Sequence, residues 1–195
     1  MILLMLSSRC SRRIIKPQGF TLIELLISIS ILGVLLAIGV PSLSEYMVQT
    51  RVDSQIAELH RLVLTARNTA INSGKNVTIC PLSEGSCTGN WKAELSVFTN
   101  EDDDTKYDAA DEDIVKVKGK VESGDTLKFN QARITYTPTG RLVSGANSLF
   151  SFCPSNYAEL SRGVSISLSG RIYTTQDTDN DGKDEDRDGN EISCS

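Results

Sequence analysis

Histidine is almost absent from this chain: His60 is the only one in 195 residues. No CxxC pair accompanies it, so a zinc site has nothing to start from. The same scarcity leaves the serines without a base, and no glycine-rich loop of the phosphate-cradling kind occurs. Enzymatic catalysis is therefore not expected, and His60 reads as a surface or packing residue. Aromatic residues reach only 6% against 39% hydrophobic residues, which suits a modest β-rich core and excludes wholesale disorder. The length allows one globular domain with an appendage rather than two domains. No unit repeats along it.

Acidic residues are missing from the first 19 positions, which carry Arg9, Arg12, Arg13 and Lys16. Without those positions the net charge of −5 becomes −9, since 16 basic residues then face 25 acidic ones. A body so acidic repels nucleic acid and anionic membrane on average, so binding either one needs a local basic patch.

Long apolar runs are equally scarce. The opening six residues are too short to cross a bilayer or to serve as a secretory apolar region. One run remains, residues 20–40, with Glu24 as its only charge. At ~1.5 Å per residue it spans about 30 Å, one hydrocarbon thickness. The positive charges before it place the leader in the cytoplasm and everything after Pro41 outside. Glu24 is costly there unless it sits at headgroup level or meets a cation at the same depth. A chain cut just before Phe20 would offer such a cation to its neighbour, as a new α-amino group.

The run Lys16-Pro17-Gln18-Gly19-Phe20-Thr21-Leu22-Ile23-Glu24-Leu25-Leu26 resembles the class III signal of type IV pilins and type II secretion pseudopilins. The resemblance implies cleavage between Gly19 and Phe20 by a prepilin peptidase in the inner membrane, with N-methylation of Phe20. It also implies that Glu24 pairs with a neighbour's terminal amine during assembly. Pro41 stands at the family's usual helix kink.

Beyond Pro41 the pattern becomes amphipathic. Leu43, Met47, Ile56, Leu59, Val63, Ala66 and Ala70 recur at mostly three- and four-residue intervals. The helix is expected to continue to about Asn72 and to end at Gly74, kinked by Pro41. The period then changes to two. Short strands are predicted at 77–80, 95–98, 114–117, 127–129, 133–136, 149–152 and 164–168, with turns at 123–124, 138–140, 144–145 and 169–170. The expected fold is α+β and type IV pilin-like. A long N-terminal helix, half transmembrane and half amphipathic, packs on a small antiparallel β-sandwich. The expected organisation is a removed leader (1–19), a transmembrane and filament-core helix (20–40), an amphipathic helix (41–73), a β-rich domain (74–176) and an acidic tail (177–195).

A narrower resemblance covers residues 20 to about 173. Asn72-Ser73-Gly74-Lys75-Asn76-Val77-Thr78-Ile79-Cys80-Pro81, Cys87, Trp91, Val97-Phe98 before an acidic stretch, Tyr136-Thr137-Pro138-Thr139-Gly140 and Ser169-Gly170-Arg171 together resemble the GspH/FimT family of minor pilins and pseudopilins. This implies a low-abundance filament subunit, FimT-like in a type IV pilus or, alternatively, GspH-like in a type II secretion pseudopilus. Its partners would be other pilins, the prepilin peptidase and the inner membrane, with the domain in the periplasm before assembly and no cofactor required. Gly170-Arg171-Ile172-Tyr173 is similar to a Gly-Arg-x-Arg element associated with DNA in FimT-like pilins. Arg171 matches, but Tyr173 stands where the second Arg belongs. Arg141, Arg162 and Arg171 are the candidate DNA patch, against the plainer reading of strand-end arginines.

Cys10 lies in the leader, and Cys80, Cys87, Cys153 and Cys194 lie beyond the apolar run, an even number that reads as two disulfides. Of three connectivities, Cys80–Cys87 with Cys153–Cys194 is favoured: one closes a short loop and the other pins the tail to a strand. In the tail, D-x-D-x-D-G occurs at 177–182 and again at 184–189. Alternate carboxylates before a Gly turn suit Ca²⁺, with Asp177, Asp179, Asp181, the Lys183 carbonyl and Asp188 as ligands. The competing reading is a solvated acidic tail. The acidic stretch around 101–113 reads as a solvated face.

Overall fold

The computed structural model describes residues 19–143 and 148–194. The leader before Gly19, with its four cations and Cys10, and the predicted turn at 144–145 lie outside the described residues. Helix α1 runs from Leu22 to Ser73, and the backbone stays helical through Pro41. It ends as its sequence dictates. Gly74 takes φ +70°, which only glycine adopts cheaply, and its amide returns to the Ala70 carbonyl at 3.1 Å.

The chain divides after Ser42 into two compact units. In the first, the apolar side chains of α1 are exposed around the whole circumference, from Leu22 to Val40. A helix apolar on every side has no stable place in water, and this one is long enough to cross a membrane.

In the second unit one face of α1 enters the core through Val52, Ile56, Leu59, Leu62, Val63, Ala66 and Ala70. The expected apolar stripe is corrected at its start. Leu43 and Met47 are exposed at 58% and 64%, because the core reaches no further back than the half-buried Val48.

Among the described residues nine strands complete this unit: β1 (Val77–Ser83), β2 (Ser86–Cys87), β3 (Leu95–Thr99), β4 (Ile114–Lys118), β5 (Thr126–Lys128), β6 (Ile134–Tyr136), β7 (Ser148–Cys153), β8 (Arg162–Ile166) and β9 (Ile172–Thr174). They form two antiparallel sheets, β2-β1-β3-β4 with β6 also on β1, and β5-β7-β8-β9. Central β1 tolerates Pro81 for a definable reason. On its outer side β6 pairs residues 77–79 and β2 pairs residues 82–83, so Pro81 faces the gap between them and breaks no ladder bond. Strand β4 borders the first sheet. Val97 pairs with Lys116 and Phe98 with Ile114, so Val115 is the extra residue of a bulge. Ile114, Val115 and Val117 are exposed on this border.

Both sheets and the helix contribute to one core. At its centre the Trp91 ring meets Phe129 and Phe150 edge-on at 4.9 and 5.1 Å, and the Trp91 indole donates to the Gln131 carbonyl at 2.7 Å. Disulfides join Cys80 to Cys87 and Cys153 to Cys194, so the tail is held at the end of β7. Polar ties at the rim include Arg51, which reaches Glu122 at 3.0 Å and the buried Asp125 at 3.2 Å.

Candidate functional site

Gly19 and Phe20 precede the helix in an exposed, non-helical segment. Thr21 and Glu24 then form a reciprocal cap. The Thr21 amide and hydroxyl donate to Glu24 Oε2 at 2.9 and 3.0 Å, and the Glu24 amide donates to Thr21 Oγ1 at 3.3 Å. The sequence signal for this cap is T-x-x-E, a local pattern distinct from the charge pairing expected of Glu24. Glu24 is thus held in place within its own chain. The apolar surface that follows it has no cover within the described residues.

The second candidate region is built from two turns of the same design. Thr137-Pro138-Thr139-Gly140-Arg141 follows β6, and Ser167-Leu168-Ser169-Gly170-Arg171 joins β8 to β9. In each, the glycine amide donates to the first residue's carbonyl at 2.8 Å, and that residue's amide donates to the arginine carbonyl at 2.8 and 2.9 Å. In each, the two hydroxyls also meet, at 2.8 and 2.9 Å. Gly140 and Gly170 take φ +72° and +75° and lie back to back: a Cβ on Gly170 would stand 1.9 Å from the Gly140 carbonyl oxygen. Arg141 and Arg171 are therefore exposed on adjoining turns. Arg67 braces the pair from α1, donating to the Gly140 carbonyl at 3.1 Å.

Arg162 is placed elsewhere. It is ion-paired with Asp53 and lies 3.8 Å from Asp184, beside a cleft that His60 also lines. Its charge is spent within the fold, so it does not extend the patch. Tyr173 carries the Arg187 guanidinium over its ring at 4.2 Å. Arg187 escaped the sequence reading because it lies among acids in the tail.

The acidic tail folds back on itself, with isolated bridges from Glu185 to Gln176 and to Glu191. Asp177, Asp179, Asp181 and Glu185 each bring one carboxylate oxygen within 4.8 Å of the others. Asp188, expected as a ligand, is not in this group; it lies in the following turn, where its amide donates to Asp186 at 2.8 Å. That turn is self-contained. Burial pushes the Asp186 carboxyl up, but the amide and side chain of Asn190 and the amides of Asp188 and Gly189 together hold it below its ordinary value. Lys183 directs its ammonium to Glu191 at 2.8 Å.

The other acidic stretch is less uniformly solvated than its composition suggests. Glu112 is buried and accepts the Asp108 amide at 3.0 Å. Desolvation raises its pKa, with Asp102 and Asp104 adding to the effect. Asp103 pairs with Arg133 at 2.7 Å, and Lys75 with Glu101.

Comparison with known proteins agrees with this architecture. The family described as type II transport protein GspH matches residues 55–170, and the prokaryotic N-terminal methylation motif matches residues 16–40. A fimbrial protein of Pseudomonas aeruginosa is 28% identical over 140 residues, covering 63% of this chain and 88% of the relative. The type IV major fimbrial protein FimA of Dichelobacter nodosus is 32% identical over 109 residues, covering 55% and 60%. Among solved structures, the type IV minor pilin FimU of Pseudomonas aeruginosa superposes with a TM-score of 0.53 at 23% identity, covering 65% of this chain and 90% of FimU. That likeness is one of fold.

Proposed function

The chain belongs to the GspH family of minor pilins and pseudopilins, and on that premise we propose that it is a FimT-like minor subunit of a type IV pilus. The observation that carries this reading is the apolar first unit: a helix exposed on all sides, with one charge capped at its start. Such a surface is at home in a bilayer and equally among parallel copies of itself, so one segment serves as membrane anchor and then as filament core. The exposed Gly19-Phe20 junction suits a peptidase, and Glu24 offers a carboxylate to a neighbour's new terminal amine. The orientation follows from the basic leader, which keeps the β-sheets on the periplasmic side. Curated relatives that are fimbrial proteins favour a pilus over a secretion pseudopilus.

The test is to shear filaments from cells expressing the chain and determine the mass of its N-terminus. The expected product begins at N-methylated Phe20 and is found in the pilus fraction. A chain that keeps its leader, or that stays out of filaments while secretion fails in its absence, overturns the reading.

A DNA-uptake role has one specific feature in its favour, the two exposed arginines on adjoining twin turns. They stand at the edge of an acidic body, so binding would rest on few phosphate contacts and weaken steeply with salt. Titrating the full chain in detergent with duplex DNA should show salt-sensitive binding that Arg141→Ala with Arg171→Ala removes and Arg162→Ala leaves. No binding even at low salt removes this role and leaves filament assembly.

A further inference from the structure

We infer that residues 177–185 form a binding site for one Ca²⁺-like divalent cation, with Asp177, Asp179, Asp181 and Glu185 as its carboxylate ligands. One oxygen from each lies within 4.8 Å of the others. Ligands on opposite sides of a Ca²⁺ ion stand about 4.8 Å apart, since each bonds at ~2.4 Å, so all four fit around a single ion.

Proximity alone would describe many acidic surface loops. Glu185 sets this one apart. It is only 6% exposed, and its Oε2 is engaged by the Thr178 amide at 2.7 Å and hydroxyl at 2.6 Å. Its Oε1 is buried and has no hydrogen-bond partner. A buried carboxylate oxygen without a donor is costly unless a cation meets it. Among the described residues no lysine or arginine forms an ion pair with Glu185; Lys183 lies 2.8 Å from Glu191 and only distantly, at 3.8 Å, reaches Asp181. The three aspartates that converge on Glu185 bring charge of the wrong sign. A metal ion resolves both problems together.

The loop is also shaped for it. Counted from Asp177, Gly182 is the sixth residue with φ +92°, and Lys183 is the seventh, where calcium loops use a main-chain carbonyl. Main-chain amides hold Asp177, Asp179 and Asp181 in place: Asn180 and Gly182 donate to Asp177 at 2.7 and 3.0 Å, Asp181 to Asp179 at 3.1 Å, and Lys183 to Asp181 at 2.9 Å. The ninth residue, Glu185, takes the closing role that spacing alone assigns to the twelfth. An all-oxygen set excludes zinc's nitrogen and sulfur preferences and suits a hard cation. The ion would fasten the loop to its buried base, where Asp184 accepts the Thr175 hydroxyl at 2.7 Å.

The experiment is calorimetric titration of CaCl₂ into the full chain in detergent, stripped beforehand with EGTA, together with thermal unfolding. One ion per chain is expected, with a Kd at or below about 1 mM and a raised unfolding midpoint. Glu185→Gln and Asp181→Asn should each abolish both effects, while Asp188→Asn should bind as the parent does. Asp181 is exposed, so its variant tests the ligand set even if the buried Glu185 variant fails to fold. No heat and no shift up to about 10 mM Ca²⁺ would overturn the site. So would binding that survives both ligand substitutions, or that is lost in Asp188→Asn alone.

Discussion

Alanine at Gly170 is expected to lower the unfolding free energy by about 2–5 kcal/mol, enough to threaten the fold of an ordinary domain. Two costs combine. An L-residue at φ +75° carries a penalty of about 1–2 kcal/mol. The new methyl would also stand 1.9 Å from the Gly140 carbonyl oxygen and 3.0 Å from the Tyr136 ring. The first of these is backbone, which cannot swing aside as a flexible side chain would, and the Tyr136 ring is wholly buried. The neighbouring turn must move, with overpacking of about 1–3 kcal/mol as the usual consequence. Gly74 provides the control, because it shares the backbone conformation at φ +70° but has nothing within 4 Å of an added Cβ. Gly74→Ala should cost only the backbone penalty, about 1–2 kcal/mol. Urea denaturation of both variants separates the terms, and equal midpoints would mean that the two turns do not touch in solution.

The second large effect concerns the disulfides. Removing Cys153–Cys194 by paired serine substitution should cost about 4 kcal/mol, because the bond closes a separation of 41 residues. Removing Cys80–Cys87, with a separation of 7, should cost about 2 kcal/mol. The difference arises in the unfolded chain, where the longer loop forfeits more freedom when closed. Denaturant midpoints of the two double variants under identical conditions decide it. If the short loop proved the more costly, strain or residual structure rather than chain entropy would govern this domain.

The long helix was legible because its two halves obey different periods, one apolar all round and one striped, and because Gly74 ends it. The seven main strands were legible from alternation and turn residues. Strand β2 was not: it has two residues, and the turn before it places Glu84 at φ +50°, a conformation glutamate seldom announces. Strand β9 was hidden inside a segment read for its arginine. The alternating acids of the tail were legible, but not the carboxylates that the fold brings together, since only the fold buries Glu185 and carries Asp188 away. The twin turns were written in the sequence as two copies of hydroxyl-x-hydroxyl-Gly-Arg. Nothing in a linear reading brings residues 140 and 170 side by side. Arg162 looked equivalent to Arg141 and Arg171 until Asp53, more than a hundred residues away, claimed its charge.

The border strand β4 has a consequence for the subunit's life before assembly. An outer strand carrying exposed Ile114, Val115 and Val117 is a template on which another extended chain can deposit. The bulge at Val115 bends that template, and Asp113 and Lys116 charge it. Charge is the weaker guard, since its reach falls to ~8 Å at physiological ionic strength and shortens further in brine. Stocks of the unassembled subunit should therefore keep best in dilute buffer and turn cloudy first where salt is highest.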